Sequence, residues 1–240
     1  MKIEGRNAVS EAVKSGKTID RVLVKNGLRD DASQSLIREI KNKGIKIHFA
    51  DKITLDGESP SGRHQGFIAF VSDFKYSEIE DILASKKGEY PFIVVLDGVE
   101  DPHNLGSIIR VCECAGVDGL IIGKHRSAAV TDTVMRISEG SANHLKIAKA
   151  VNINSAIETL KKNGIWVYAV ELKGENLYTS DLTGAVALVI GGEDTGVNKL
   201  TREKCDKTLT IPMFGKVNSL NASVACGVAV FEAVRQRTAE

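Results

Sequence analysis

The chain has 240 residues, 42% of them hydrophobic and 26% charged, with 32 Lys/Arg against 31 Asp/Glu. Those values suit a globular chain with a core of ordinary size, in one large domain or two modest ones. With no run of about 18 apolar residues, a membrane-spanning helix is excluded and no membrane partner is expected.

The opening stretch MKIEGRNAVSEAV has no apolar h-region. No secretory signal is expected, and the expected location is the cytoplasm. Charge is spread unevenly. Residues 1–75 carry 14 Lys/Arg and 10 Asp/Glu, the remainder 18 and 21. A mildly basic N-terminal part suits contact with phosphates, and it equally suits a plain solvated surface.

In chain order, the N-terminal part alternates. Residues 5–15 have apolar positions at helical spacing, 19–26 (IDRVLVKN) read as a strand, and 32–44 as a helix stopped by Gly44. Strand 45–50, a short turn or helix at 52–57 and strand 64–72 follow. The Gly/Ser/Pro loop 59–66 carries Arg63 and His64 and reads as mobile. Residues 73–91 are polar and charged, and read as a connector.

The second part opens with FIVVLDGV (92–99), an apolar run of the kind buried on both faces of a parallel sheet. Helices near 104–115, 129–137, 153–163 and 198–204 alternate with strands at 119–123, 145–148, 165–172, 185–192 and 208–212. A long helix ends the chain. Such alternation predicts an α/β fold with a parallel sheet and helices on both faces. In the last helix, Leu220, Val224, Val228 and Phe231 recur at helical spacing and predict its buried face.

The four cysteines, Cys112, Cys114, Cys205 and Cys226, form no CxxC pair and have no His at zinc-ligand spacing. They read as small buried hydrophobes, and no metal is expected.

Parallel sheets bind ligands outside the carboxyl ends of their strands. Three loops leave strands there with many glycines and small polar residues: LDGVEDPHNLGSIIR (96–110), VIGGEDTGV (189–197) and IPMFGKVNSLNAS (211–223). Taken singly, Asn104 reads as a helix cap, Arg110 as a surface cation and Glu193 as a carboxylate at a helix start. Asn218, Ser219, Asn221 and Ser223 crowd the mouth of the last helix. Ser219 and Asn221 cannot both cap it, so at least one is left to meet a ligand or a facing loop. Neither GxGxxG nor GxxxxGK[ST] occurs, which argues against dinucleotide or nucleoside triphosphate binding. No Ser-His-Asp arrangement or carboxylate pair supports hydrolysis.

Together, in this order, the three loops resemble the three motifs of the SpoU/TrmH family of RNA ribose 2′-O-methyltransferases, in the SPOUT superfamily. Asn104, Gly106 and Arg110 match the first motif, Gly191 and Glu193 the second, and Ser219, Leu220 and Asn221 the third. GRNAV near the start and HQG at 64–66 resemble the substrate-binding domain of the RlmB-like branch.

The resemblance implies a SPOUT-type sheet with a C-terminal deep trefoil knot, preceded by a small ribosomal-protein-like α/β domain. Its boundaries are then 1–74 for RNA binding, 75–91 as linker and 92–240 for methyl transfer. It implies S-adenosyl-L-methionine as methyl donor, held by Gly191, Gly192, Glu193, Ile211, Leu220 and Asn221, largely through backbone. Asn104, Arg110, Glu193, Ser219 and Asn221 fall at the catalytic positions. The implied partners are RNA, with a guanosine of 23S rRNA first, and a second copy in a homodimer. A tRNA enzyme or a resistance-conferring rRNA enzyme of the same family are alternatives, and a non-catalytic RNA-binding protein is the alternative of another class. A guanidinium has a pKa above about 12. Arg110 is therefore expected to hold a phosphate and stabilise the forming alkoxide, with Glu193 orienting it.

Overall fold

Apolar residues dominate the segments that become central strands, and their placement builds two units. The computed structural model describes residues 1–15, 17–193, 195–217 and 219–238. One unit comprises residues 1–75 and 129–132, the other 76–128 and 133–240.

In the first unit, β1 (Lys2–Glu4), β2 (Thr18–Lys25), β3 (Lys46–Ala50) and β4 (Phe67–Ser72) form a sheet of order β1-β4-β2-β3. Only β2 and β3 run parallel. Helices α1 (Arg6–Lys14) and α2 (Asp31–Asn42) bury Val9, Val13, Leu36 and Ile40 against Val22, Val24 and Phe67. On the other face, α3 (Lys52–Glu58) packs Leu55 on Leu23 and Ile68. Asp30 and Asp51 cap α2 and α3 by accepting from the backbone N–H of Ser33 and Thr54.

The loop read as mobile is stapled instead. Glu4 accepts from Ser61 N at 3.0 Å and from the hydroxyls of Ser59 and Ser61. These bonds hold its carboxyl below the usual carboxylate range. His64 is buried, with Nε2 2.9 Å from Asp56 and Nδ1 accepting from Gly66 N.

In the second unit, β5 (Phe92–Asp97), β6 (Gly119–Gly123), β7 (Lys146–Ala150), β8 (Trp166–Asn176), β9 (Val186–Gly191) and β10 (Lys207–Thr210) form one parallel sheet. The order is β10-β8-β9-β5-β6-β7. The helices are α4 (Ile79–Leu83), α5 (Pro102–Cys114), α6 (Asp132–Ile137), α7 (Ile153–Lys162), α8 (Lys199–Lys204) and α9 (Ala222–Thr238). From β5 the chain steps outward to β6 and β7, then crosses back so that β9 slots between β5 and β8. The winding direction reverses at β5 and β9, so the crevice for a ligand opens at their carboxyl ends.

One face of this sheet carries Ile93, Val95, Ile121, Ala187 and Val189 beneath α4 and α7. The alternating residues Val94, Leu96, Leu120 and Leu188, all buried, face the side where α5 and α9 pack. Each such aliphatic side chain contributes about 1.5–3 kcal/mol by leaving water. Residues 76–91, read from sequence as a connector, pack on this unit. Ser77 N donates to Ile147 O, and Ile82 is buried in the core.

The buried face of α9 differs from the expected one. Ala222, Cys226, Ala229, Val230 and Ala233 are buried, while Leu220, Val224 and Phe231 are 37%, 50% and 48% exposed. Small side chains let α9 lie close to its neighbours, and the larger apolar residues turn outward. Of the cysteines, Cys112 and Cys226 are buried, Cys205 is half-buried and Cys114 is exposed, unlike the expectation for all four. No described helix is long and apolar enough to cross a membrane.

Asp118, 3% exposed, fixes the amino end of the central strand by accepting from Phe92 N at 2.7 Å and from Lys87 N. Asp118→Ala leaves those N–H groups without this acceptor. It is expected to lower unfolding stability by about 2–4 kcal/mol, read as a shift in the urea midpoint at unchanged slope.

Candidate active site

The carboxyl end of β5 leads through a turn into α5. Asp101, not Asn104, caps that helix by accepting from His103 N and Asn104 N, each at 3.3 Å, with Pro102 at the first helical position. Asn104 is thereby free of capping and, 6% exposed, faces the start of α9.

There Asn221 settles the question of the cap. Its Oδ1 accepts from Ser223 N at 2.9 Å, Ser223 Oγ at 2.6 Å and Val224 N at 3.3 Å. Its Nδ2 donates to Asn104 Oδ1 at 2.9 Å and to Glu193 Oε1. The capping role fixes which way the Asn221 amide points, and this in turn fixes Asn104. Asn104 must offer its oxygen to Asn221, and its Nδ2 donates to nothing among the described residues. A donor pair is left at the mouth of the site.

Glu193 stands on a loop whose glycines are required by packing. A Cβ on Gly191 would lie 2.0 Å from the carbonyl carbon of Gly196, and one on Gly192 would lie 2.2 Å from Gly98 O. Gly192 N donates to Asp97 O and Gly196 N to Gly192 O, both at 3.0 Å, folding the loop over the end of β9. Beside it lies a cavity of about 360 Å³. Gly191, Gly192, Glu193, Ile211, Ser219 and Leu220 line it, joined by Glu171, Thr195 and Met213. Asn221 does not line it; it stands in the adjoining Asn104–Glu193 network. Asn218 lies outside the described residues.

Sequence reasoning missed Glu171, in the middle of β8 just past the stretch Trp166–Val170 that pairs with β9; it accepts from Val197 N and lines the cavity. A carboxylate within the otherwise apolar segment 165–172 is the only signal it gave. Arg110 is not brought to the cluster. Six residues beyond Asn104, it lies about 9 Å along α5 and on another face. Its Nη1 donates to Glu139 Oε1 at 2.7 Å. Glu193 is bonded to Asn221, so the expected Glu193–Arg110 contact is absent within one chain. Among the described residues no group of three or more His, Cys, Asp or Glu is arranged to hold a metal ion.

Two substitutions separate the duties of Asn221. Asn221→Ala loses the cap and leaves Asn104 Oδ1 without its donor, an expected cost of about 2–3 kcal/mol. Asn221→Asp keeps the capping oxygen but sets a carboxylate against Glu193. It is expected to be less stable than the parent at pH 7, with the gap narrowing as pH falls and one carboxyl of the pair takes up a proton. Equal urea midpoints for Asn221→Asp and the parent at pH 7 would contradict the network.

The comparisons with known proteins agree with these motifs. The SpoU rRNA Methylase family model matches residues 91–231, and a model for RNA 2′-O ribose methyltransferase substrate binding matches residues 2–77. A Staphylococcus saprophyticus protein named as a TrmH family tRNA/rRNA methyltransferase is 39% identical over 98% of this chain and 95% of its own. An AdoMet-bound rRNA methyltransferase from Sinorhizobium meliloti is 25% identical with a TM-score of 0.64, covering 100% of this chain and 88% of that one. The TrmH/SpoU tRNA modifying enzyme of A. aeolicus is 32% identical with a TM-score of 0.58, covering 66% of this chain and 80% of that one. On these matches, this chain belongs to the SpoU family of RNA methyltransferases.

Proposed function

We propose that this protein moves a methyl group from S-adenosylmethionine to a ribose 2′-hydroxyl of RNA, with a guanosine of 23S rRNA as the preferred target. The observation that carries the reading is the Asn104–Asn221–Glu193 network beside a glycine-walled cavity at the β5/β9 switch.

The cavity's residues fit the donor. Its volume falls in the range of about 300–1,000 Å³ usual for small-molecule sites. Ile190, Ile211 and Leu220 offer apolar surface to a flat base. Gly191 and Gly192 expose backbone for close approach. The carboxylates of Glu171 and Glu193 suit ribose hydroxyls and a positively charged sulfonium. The donor supplies an electrophilic methyl carbon.

The protein's part is orientation and charge. Asn104 Nδ2, pointed outward by Asn221, is a donor for an oxygen that gains negative charge. Arg110 holds a phosphate beside the reacting ribose and stabilises the alkoxide. Its present tie to Glu139 joins two exposed side chains. Such a pair contributes about 0–1 kcal/mol and gives way readily to a phosphate.

We further infer a homodimer with the active site near its interface. The outward Val224 and Phe231 on α9, with Leu220 just before it, support the dimer; α9 packs beside the Arg110-bearing α5. The knotted threading is inferred from family membership. The first unit, matched by the substrate-binding model, is the proposed RNA-binding domain.

A second reading, a tRNA target, draws on the identity to the A. aeolicus enzyme. That match spans only two thirds of this chain, whereas the S. meliloti rRNA enzyme matches all of it.

Mass-spectrometric mapping of ribose methylation in rRNA and tRNA, with and without the protein, tests the assignment. The expected result is loss of one 23S guanosine methyl when the protein is absent; a change confined to tRNA selects the second reading. Arg110→Lys keeps charge but loses the planar fork, and is expected to lower kcat by about 10²–10³. A parental rate in Arg110→Lys and Arg110→Ala would remove Arg110 from the reaction.

A further inference from the structure

Two lysines meet at the carboxyl end of the outer strands. In register, Ile122 of β6 pairs with Lys149 of β7, and Lys124 N donates to Ala150 O at 2.8 Å, extending the ladder past β6. Side chains alternate along a strand, so Lys124, two residues after Ile122, shares a face of the sheet with Lys149. Lys149 is half-buried, its Nζ 4.7 Å from the centre of the Tyr76 ring. Neither lysine has a carboxylate within ion-pair distance among the described residues. Burial and the Lys124 cation push the Lys149 ammonium pKa down.

An unpaired cation set partly out of water beside another cation is costly, and proteins normally pair such groups. The loop that follows is also constrained. A Cβ on Gly123 would sit in tight contact, 3.2 Å from His125 O, and Arg126, exposed, sits at a φ of 47°. Conformations of that kind cost free energy in a non-glycine residue and recur at ligand sites. The loop adjoins the catalytic end of the sheet: Ala128 N donates to Val99 O, in the turn between β5 and α5. Three strand spacings, about 14 Å, separate β7 from β9.

We propose that Lys124 and Lys149 form a subsite for a backbone phosphate of the RNA substrate, apart from the methyl-donor cavity. The proposal rests on the RNA methyltransferase reading above. A phosphodiester supplies the anion that both ammonium groups lack. The site carries no base-reading groups, so it fixes the path of the RNA rather than its sequence.

The test uses the full chain and rRNA extracted from cells that lack this protein. Binding is measured by filter retention between about 50 and 200 mM salt. Lys149→Met and Lys124→Gln are each expected to reduce the slope of log K against log salt by about 0.7–0.9, which weakens binding roughly five- to eightfold near 0.1 M salt. S-adenosylmethionine affinity by calorimetry is expected to stay at the parental value. Lys149→Met is expected to melt no lower than the parent, as removal of an unpaired charge requires. Lys162→Gln, on α7 across the sheet, is expected to leave the slope unchanged. Parental slope and affinity in both variants, with the parent binding RNA, would overturn the subsite and leave the methyltransferase reading standing. A parent that does not retain rRNA would overturn both. Should Lys149→Met fail to fold, Lys124→Gln, at an exposed position, decides alone.

Discussion

The candidate site depends on one amide. Asn221 uses its oxygen to cap α9 and its nitrogen to hold Asn104 and Glu193. An amide can do this because it is donor at one end and acceptor at the other. Ser or Asp would cap as well, yet neither keeps an N–H pair for the carboxylate and the carbonyl opposite. The helix start, the β9 loop and the first turn of α5 are thus held by a single side chain. Asn104 lies 117 residues from Asn221 and Glu193 lies 28, so this joint closes only when β5 and β9 have come together.

The glycines at 191 and 192 make the same point in backbone. At Gly191 the returning end of its own loop, Gly196 and Val197, occupies the space a Cβ would need, and at Gly192 the turn after β5 does so through Gly98 O. Their role is close packing of chain on chain, which sets the cavity wall at atomic distance from the strand end. That wall then presents peptide groups instead of side chains. A cavity of this type recognises shape and polar edge with little freedom lost on binding.

Most of the fold is legible in the sequence because its strands are long apolar runs and its helices are punctuated by Asp, Pro and Gly. Segment 92–97, buried almost throughout, and the helix opened by Asp101-Pro102 are examples. Strand β1 has only three residues and carries no pattern of its own. The orientation of α9 was not legible because it is apolar on several sides. Spacing alone favoured the large residues, whereas packing chose Ala222, Cys226 and Ala229. Within the site, Asn104, Glu193 and Asn221 could be named from their motifs, but their mutual bonds could not. Glu171 went unseen, since its meaning comes from the loop that folds over it. No periodicity signals that Asp101 would take the cap and release Asn104.

Arg110 shows what a single chain lacks. The turn of α5 that points Asn104 at α9 leaves Arg110 paired with Glu139 instead. On the dimer proposed above, the guanidinium that meets the RNA at Asn104 would come from the α5 of the second copy. Leu220, which lines the cavity, and the exposed Val224 and Phe231 of α9 are outward apolar residues. In the proposed dimer, a second copy seated there would bring its own α5 toward this α9. The same exposure that frustrates the one-chain assignment of Arg110 is what the proposed dimer requires. On that view, capping, cavity and cation are distributed so that the methyl-transfer site is complete only when two chains meet.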